Sequence, residues 1–116
     1  MIPGVFHLTR VNNTGAAFGI LRGYSGVLVS VAFGCVVFLG IYLFRKFFLK
    51  KEISSLVALA LLFVAAGALG NLYDRVFYGY VVDFIDFRIW PVFNIADTSI
   101  SVGLLLLAIH YASHSI

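Results

Sequence analysis

Three apolar runs, roughly Tyr24 to Phe44, Ile53 to Leu72 and Ile95 to Ile116, constrain this chain more than any other feature of its sequence. At about 1.5 Å of rise per helical residue, each is long enough to cross about 30 Å of hydrocarbon. Bilayer interiors offer no water to backbone N–H and C=O groups, so a crossing segment satisfies them internally as a helix. The rest of the composition agrees. With 62% hydrophobic and 11% charged residues, and a mean hydropathy of +1.05, the chain lies outside the range of water-soluble domains. Eight Lys+Arg and five Asp+Glu in 116 residues cannot coat a surface that meets water. The expected fold is an all-α integral membrane protein, a single domain over residues 1–116, with three transmembrane helices.

Charge placement sets an expected orientation. Four of the eight basic residues, Arg45, Lys46, Lys50 and Lys51, fall in RKFFLKKE between the first two runs. Short connectors dense in Lys and Arg stay cytoplasmic, so the second connector faces outward. Arg10, Arg22, Arg75 and Arg88 then lie on the other side, and the orientation rests on density rather than number. The formal charge of +3 is therefore a topology signal, and nucleic acid is not expected as a partner. Cys35 is the only cysteine and sits inside an apolar run, which excludes an intrachain disulfide and makes packing its expected role. The first twenty residues lack a charged segment followed by an apolar one, so no cleavable signal peptide is visible. Insertion would rely on the later helices.

The connectors carry patterns of their own. The opening GVFHLTRVNNTGAAFG has β-branched and aromatic residues broken by Asn-Asn-Thr-Gly, which predicts a short hairpin or extended piece on the outer face. Asn12-Asn13-Thr14 also fits a glycosylation acceptor, with nothing else in support. Between Tyr73 and Phe93, residues Phe77, Tyr78, Tyr80, Phe84, Phe87 and Trp90 form an aromatic belt typical of a membrane interface. This predicts an interfacial segment before the last helix. Ala65, Ala66, Gly67, Ala68 and Gly70 predict a close helix–helix approach near the end of the second span.

Four of the five acids, Asp74, Asp83, Asp86 and Asp97, fall where the second helix ends and the third begins. Ionisable groups beside hydrocarbon are costly, so such a cluster marks a candidate site. Several carboxylates can hold a hard cation, but no His or Cys joins them. Thr98 and Ser99 have no neighbouring Lys or His to activate them as nucleophiles. His110 and His114 lie well along the last helix and read, like His7, as packing or interface residues. What remains is a carboxylate pair, in which two acids held close cannot both ionise; one keeps a proton as acid while the other activates water. That is aspartic-protease chemistry. Asp86 stands three residues after Asp83 and on a helix would share its face, making it a competitor for the pair, though a structural role is the preferred reading. Asn71 and Asp74 have the same spacing and would together point toward the pair. Asn94 and Asp97 stand where residues cap a helix and meet its dipole, a role compatible with catalysis. A proton-transport subunit would place acids along the helices instead of at one end.

Three blocks now carry a family resemblance: NNTGAAFG at 12–19, GNLYDRVFYGYVVDFIDF at 70–87 and FNIADTSISVG at 93–103. Together they resemble the signature blocks of lipoprotein signal peptidases, the signal peptidase II family of intramembrane aspartic peptidases. The resemblance implies that Asp83 and Asp97 are the catalytic pair. It also implies supporting or substrate-binding roles for Asn13, Gly15, Asn71, Asp74, Arg75 and Asn94, with Ala16, Ala17 and Phe18 in the first block and Gly70 in the second. Arg75 would reach a carboxylate or a lipid phosphate. No metal or cofactor is implied. The expected substrate is a diacylglyceryl-modified prolipoprotein, cut just before its lipid-bearing cysteine. The expected setting is the extracytoplasmic face of the bacterial inner membrane, among membrane lipid, with the enzyme as a monomer. The family has four transmembrane helices, so the chain would begin after the first, and the 116-residue form is expected to be poorly stable or inactive unless that helix is supplied. The alternatives are a decayed form acting as a membrane interaction protein, or a proton-linked transport subunit.

Overall fold

A computed structural model of the chain describes residues 2–4, 6–13, 25–89 and 93–114. Gly15, Ala16, Ala17 and Phe18 of the first block, and Trp90 of the aromatic belt, lie outside the described residues. The elements run in the order β1 (His7–Asn13), α1 (Ser25–Phe48), α2 (Ser55–Tyr78), β2 (Val81–Asp86) and α3 (Ile95–His114). All three helices are long and apolar enough to cross a membrane, as expected of a multi-pass membrane protein.

Helix α2 continues to Tyr78, beyond the apolar run that ends at Leu72. Hydropathy reports where hydrocarbon ends, whereas a helix persists as long as its backbone ladder does. Asp74 and Arg75 therefore ride on the last turns of α2. The helix stops at Gly79, whose φ of 81° is the left-handed conformation that glycine adopts without steric cost; its N–H donates to the Arg75 carbonyl at 3.0 Å.

Over its described residues the opening segment takes the extended alternative, after a tight antiparallel bridge between Ile2 and Phe6. Strand β1 pairs antiparallel with β2, far away in sequence, matching His7 with Asp86, Val11 with Asp83 and Asn13 with Val81, with an irregularity between Leu8 and Val11. The other edge of β2 is met by Phe93, whose carbonyl accepts from the N–H of Phe84 (2.9 Å) and of Ile85 (2.8 Å). Backbone polar groups at a membrane boundary need partners, and β2 has them on both edges. The interfacial segment is thus the end of a helix followed by a strand. Phe6, Phe87 and Phe93 stack beside it, with centroids 5.3 and 6.0 Å apart in sequence order.

Burial is inverted relative to a water-soluble domain. Alongside Val57, Ala60, Leu72 and Val81, the buried residues are Asn13, Asn71, Asp83, Asp86 and Asn94, while Phe33, Phe38, Phe44 and Phe47 of α1 face outward. Cys35 is exposed as well, so it is not the packing residue its surroundings suggested. Lipid is as apolar as a side chain, so the helices gain little by hiding phenylalanine and gain much by sequestering polar groups together.

The main packing is α2 against α3. The predicted close approach is present at Gly67, where an added Cβ would collide with the Ala96 carbonyl oxygen and come within 2.7 Å of Ile100 Cγ1. A second contact point was not foreseen: a Cβ on Gly103 would lie 2.5 Å from the Ala60 carbonyl oxygen and 2.6 Å from Val64 Cγ2. Ser99 Oγ donates to the Phe63 carbonyl at 2.7 Å across the same interface. Gly103→Val should wedge the helices apart and cost about 1–3 kcal/mol, the usual scale of overpacking. Gly40→Val on α1, where a Cβ meets nothing within 4 Å, serves as the control. Thermal unfolding in detergent reads both; equal midpoints for the two variants would contradict the close contact.

Candidate active site

Four elements deliver side chains to one point at the end of the α2–α3 pair. Asn94 stands immediately before α3 and caps it: its Oδ1 accepts from the Asp97 N–H at 2.9 Å, and its own N–H donates to Asp97 Oδ2 at 3.3 Å. This reciprocal arrangement is a capping box, with Asp97 in the position usually held by Glu or Gln. Asn94 does more than cap. Its Nδ2 donates both to Asp83 Oδ1 on β2, at 3.0 Å, and to Asn71 Oδ1 on α2, at 3.1 Å. Asn71 Nδ2 in turn donates to Asp97 Oδ1 at 2.9 Å. The remaining oxygen of Asp83 accepts from Asn13 Nδ2, at the end of β1, at 2.9 Å.

Asp83 and Asp97 are therefore held on one hydrogen-bonded frame made of three amide side chains. Each carboxylate accepts two bonds, and Asn71 and Asn94 are each oriented by what they both give and receive. Asp83 is only 3% exposed. Burial pushes its pKa above the ordinary carboxylate value, and the nearby charge of Asp97 pushes the same way; the bonds from Asn13 and Asn94, and the positive charge of Arg75, pull it back. The arrangement favours an Asp83 carboxyl that retains its proton at a pH where an exposed aspartate has lost its own.

The other expected site residues divide. Arg75 acts on Asp83 through its charge. Asn71 reaches Asp97, but Asp74 does not join it in that bond; Asp74 lines a cavity of about 330 Å³ beside the frame, with Gly70, Asn71, Tyr73, Phe84 and Asn94. Thr98 Oγ1 and Ser99 Oγ donate to the carbonyls of Asn94 and Phe63, so both hydroxyls are engaged with backbone.

A family model described as signal peptidase (SPase) II matches residues 1–113. The chain belongs to the signal peptidase II family. It is 47% identical over 110 residues to the lipoprotein signal peptidase of Halothermothrix orenii, covering 95% of this chain and 72% of that one. Against the lipoprotein signal peptidase of Microcystis aeruginosa it is 46% identical over 116 residues, covering 98% and 72%. A solved bacterial membrane enzyme, determined by the in meso method, superposes with a TM-score of 0.87 at 36% identity over 99% of this chain and 70% of that one.

Within this signal peptidase II chain, Asp86 is not a second candidate for the pair. Its spacing of three from Asp83 would share a helical face, but the segment is a strand, where side chains alternate and an odd spacing points them apart. Asp86 instead accepts from the Arg88 N–H at 2.8 Å and from Thr9 Oγ1 on β1 at 2.9 Å, and lies 3.6 Å from Arg88 Nε. Thr9 was invisible as a site neighbour until the strand pairing was known. The Arg88 N–H, then the Thr9 hydroxyl, hold Asp86 below the ordinary carboxylate range. Lowered in the native state, it contributes stability above the unfolded-state pKa of about 3.9, and that contribution is lost as pH falls through the lower native value. Asp86→Asn should therefore flatten the acid end of the thermal-stability profile and leave cleavage measurable. An acid limb identical to wild type would remove Asp86 from that role.

Proposed function

We propose that this chain is a membrane aspartic endopeptidase that removes the signal peptide from diacylglyceryl-modified prolipoproteins, cutting just before the lipid-bearing cysteine. The observation that carries the reading is the joining of Asp83 and Asp97, from β2 and α3, through Asn94 and Asn71. In the proposed reaction one carboxyl is protonated and the other ionised. The ionised one takes a proton from water as the water oxygen bonds to the scissile carbonyl carbon, while the protonated one gives its proton to the carbonyl oxygen. The tetrahedral diol collapses as its hydroxyl proton returns to one carboxylate and the leaving nitrogen takes a proton from the other, breaking the C–N bond. Water and peptide become acid and amine, and the pair is restored.

Asn94 and Asn71 hold the two acids in register, and Asn13 orients Asp83. Arg75 opposes the accumulation of negative charge. The cavity beside Asn71 and Asp74 is the proposed seat of the substrate backbone, and its small wall residues leave that backbone room. The aromatic residues around it suit a bond presented at a membrane boundary by acyl chains buried in lipid. The proposed setting is the extracytoplasmic face of the bacterial inner membrane, with one copy of the chain sufficient. Purified protein in lipid, with the additional helix of the family supplied, should cleave a diacylglyceryl-modified prolipoprotein and spare the same precursor lacking the diacylglyceryl group. Equal cleavage of both, read by gel shift, would contradict the assignment of substrate.

A further inference from the structure

The end of the helices opposite Asp83 and Asp97 holds a second polar feature of different chemistry. A topology signal requires positive charges there but not any particular arrangement of them. Three are arranged: Arg45, Lys46 and Lys51 line one cavity of about 370 Å³, whose remaining walls are apolar or aromatic and include Tyr42 and Leu49. Among the described residues, no carboxylate lines it. Lys46 Nζ stands 5.5 Å over the Tyr42 ring and donates to the Glu52 carbonyl at 3.3 Å, which places the ammonium at the cavity wall. The turn that brings Lys51 round to face α1 passes through Lys50 at φ 51° and is closed by the Lys51 N–H on the Lys46 carbonyl at 2.9 Å.

A second cavity, of about 280 Å³, shares Phe38 and Tyr42 with the first and is otherwise lined by aliphatic residues and Tyr111, reaching Val57 and Leu61 on α2 and Leu107 on α3. Phe38 and Leu61 lie deeper along their helices than Arg45 and Lys51. A cationic cup thus adjoins an apolar trough running toward the helix middles, between three spans.

We propose that this groove binds an anionic phospholipid, its phosphate headgroup against Arg45, Lys46 and Lys51 and one acyl chain along Phe38, Leu61 and Leu107. Charge complementarity selects the headgroup: basic pockets between transmembrane helices take anionic lipids. The trough selects lipid over free phosphate, because only an acyl chain uses it. Lys50 does not line this cavity; it borders a neighbouring one that Lys46 and Lys51 also reach and that Glu52 lines, and it is not part of the site.

Native mass spectrometry of the full chain in detergent, with phosphatidylglycerol and phosphatidylcholine in competition, tests this first without any variant. Phosphatidylglycerol should be retained about a hundredfold better, the scale expected when three basic residues each contribute about fivefold toward an anionic lipid. Equal retention would overturn the proposal. Lys46→Gln should reduce the preference about fivefold and Lys50→Gln should leave it intact; equal effects would mean diffuse charge and no site. Leu107→Trp should displace the lipid by filling the trough with every cation still present, and unchanged retention would overturn the acyl contact. Inorganic phosphate in large excess should not release the lipid, and release would transfer the site to free phosphate.

Discussion

Asp83→Asn and Asp97→Asn should each lower kcat/KM for a lipid-modified prolipoprotein by about 10⁴-fold or more, because either change leaves a single carboxyl where the reaction needs one acid and one base at the same time. The substitution nearly preserves shape, so substrate binding should survive and the loss should fall on kcat. Stability separates chemistry from collapse. Asp83 accepts from both Asn13 and Asn94, and an Asn in its place offers one acceptor oxygen instead of two, at the cost of one bond. Against that, the native state holds the Asp83 charge poorly. A carboxyl whose native pKa is raised destabilises the fold as pH climbs from the unfolded value through the native one. Asp83→Asn removes that dependence, so its unfolding midpoint should vary less than wild type as pH rises through this window. If Asp86→Asn is the lethal change and Asp83→Asn is tolerated in the processing assay, the assigned pair is wrong.

The second large effect belongs to Asn94. Asn94→Ala deletes the cap of α3, worth about 1 kcal/mol, and also strips Asp83 and Asn71 of a buried donor. Asn94→Ser keeps a capping oxygen but has no amide to give. The alanine variant should lose stability and at least about a hundredfold in cleavage, the scale of misplacing a catalytic group by an ångström. Serine should recover much of the unfolding midpoint and little of the cleavage. Recovery of both by serine would reduce Asn94 to a helix cap.

These residues differ in how far the sequence revealed them. Asp83 and Asp97 were legible because intramembrane carboxylates are scarce and their blocks, VVDF and FNIAD, are distinctive. Asn94 was legible as a cap, yet its bonds to Asp83 and Asn71 were not, since both partners are distant in the chain. Asp86 read as a competitor for the pair, behind a preferred structural role, because a three-residue spacing has opposite meanings on a helix and a strand, and VVDFID is too short and too apolar to distinguish them. The opening segment was legible as a hairpin or extended piece but its pairing was not, because local turn signals cannot name a partner strand some seventy residues away.

The sequence by itself determined the solvent, the three spans, the gathering of four acids toward one end and the dense basic connector at the other, and it singled out the two acids proposed as the pair. Each follows from hydropathy, charge or a contiguous motif, properties that residues carry within a stretch of about twenty. Only the tertiary structure decided that β1 pairs with β2, that Gly103 as well as Gly67 brings α2 and α3 into contact, and that Asn13, Asn71 and Asn94 form the frame between the acids. Those are hydrogen bonds and close contacts between distant segments, and their geometry exists only once the helices have packed.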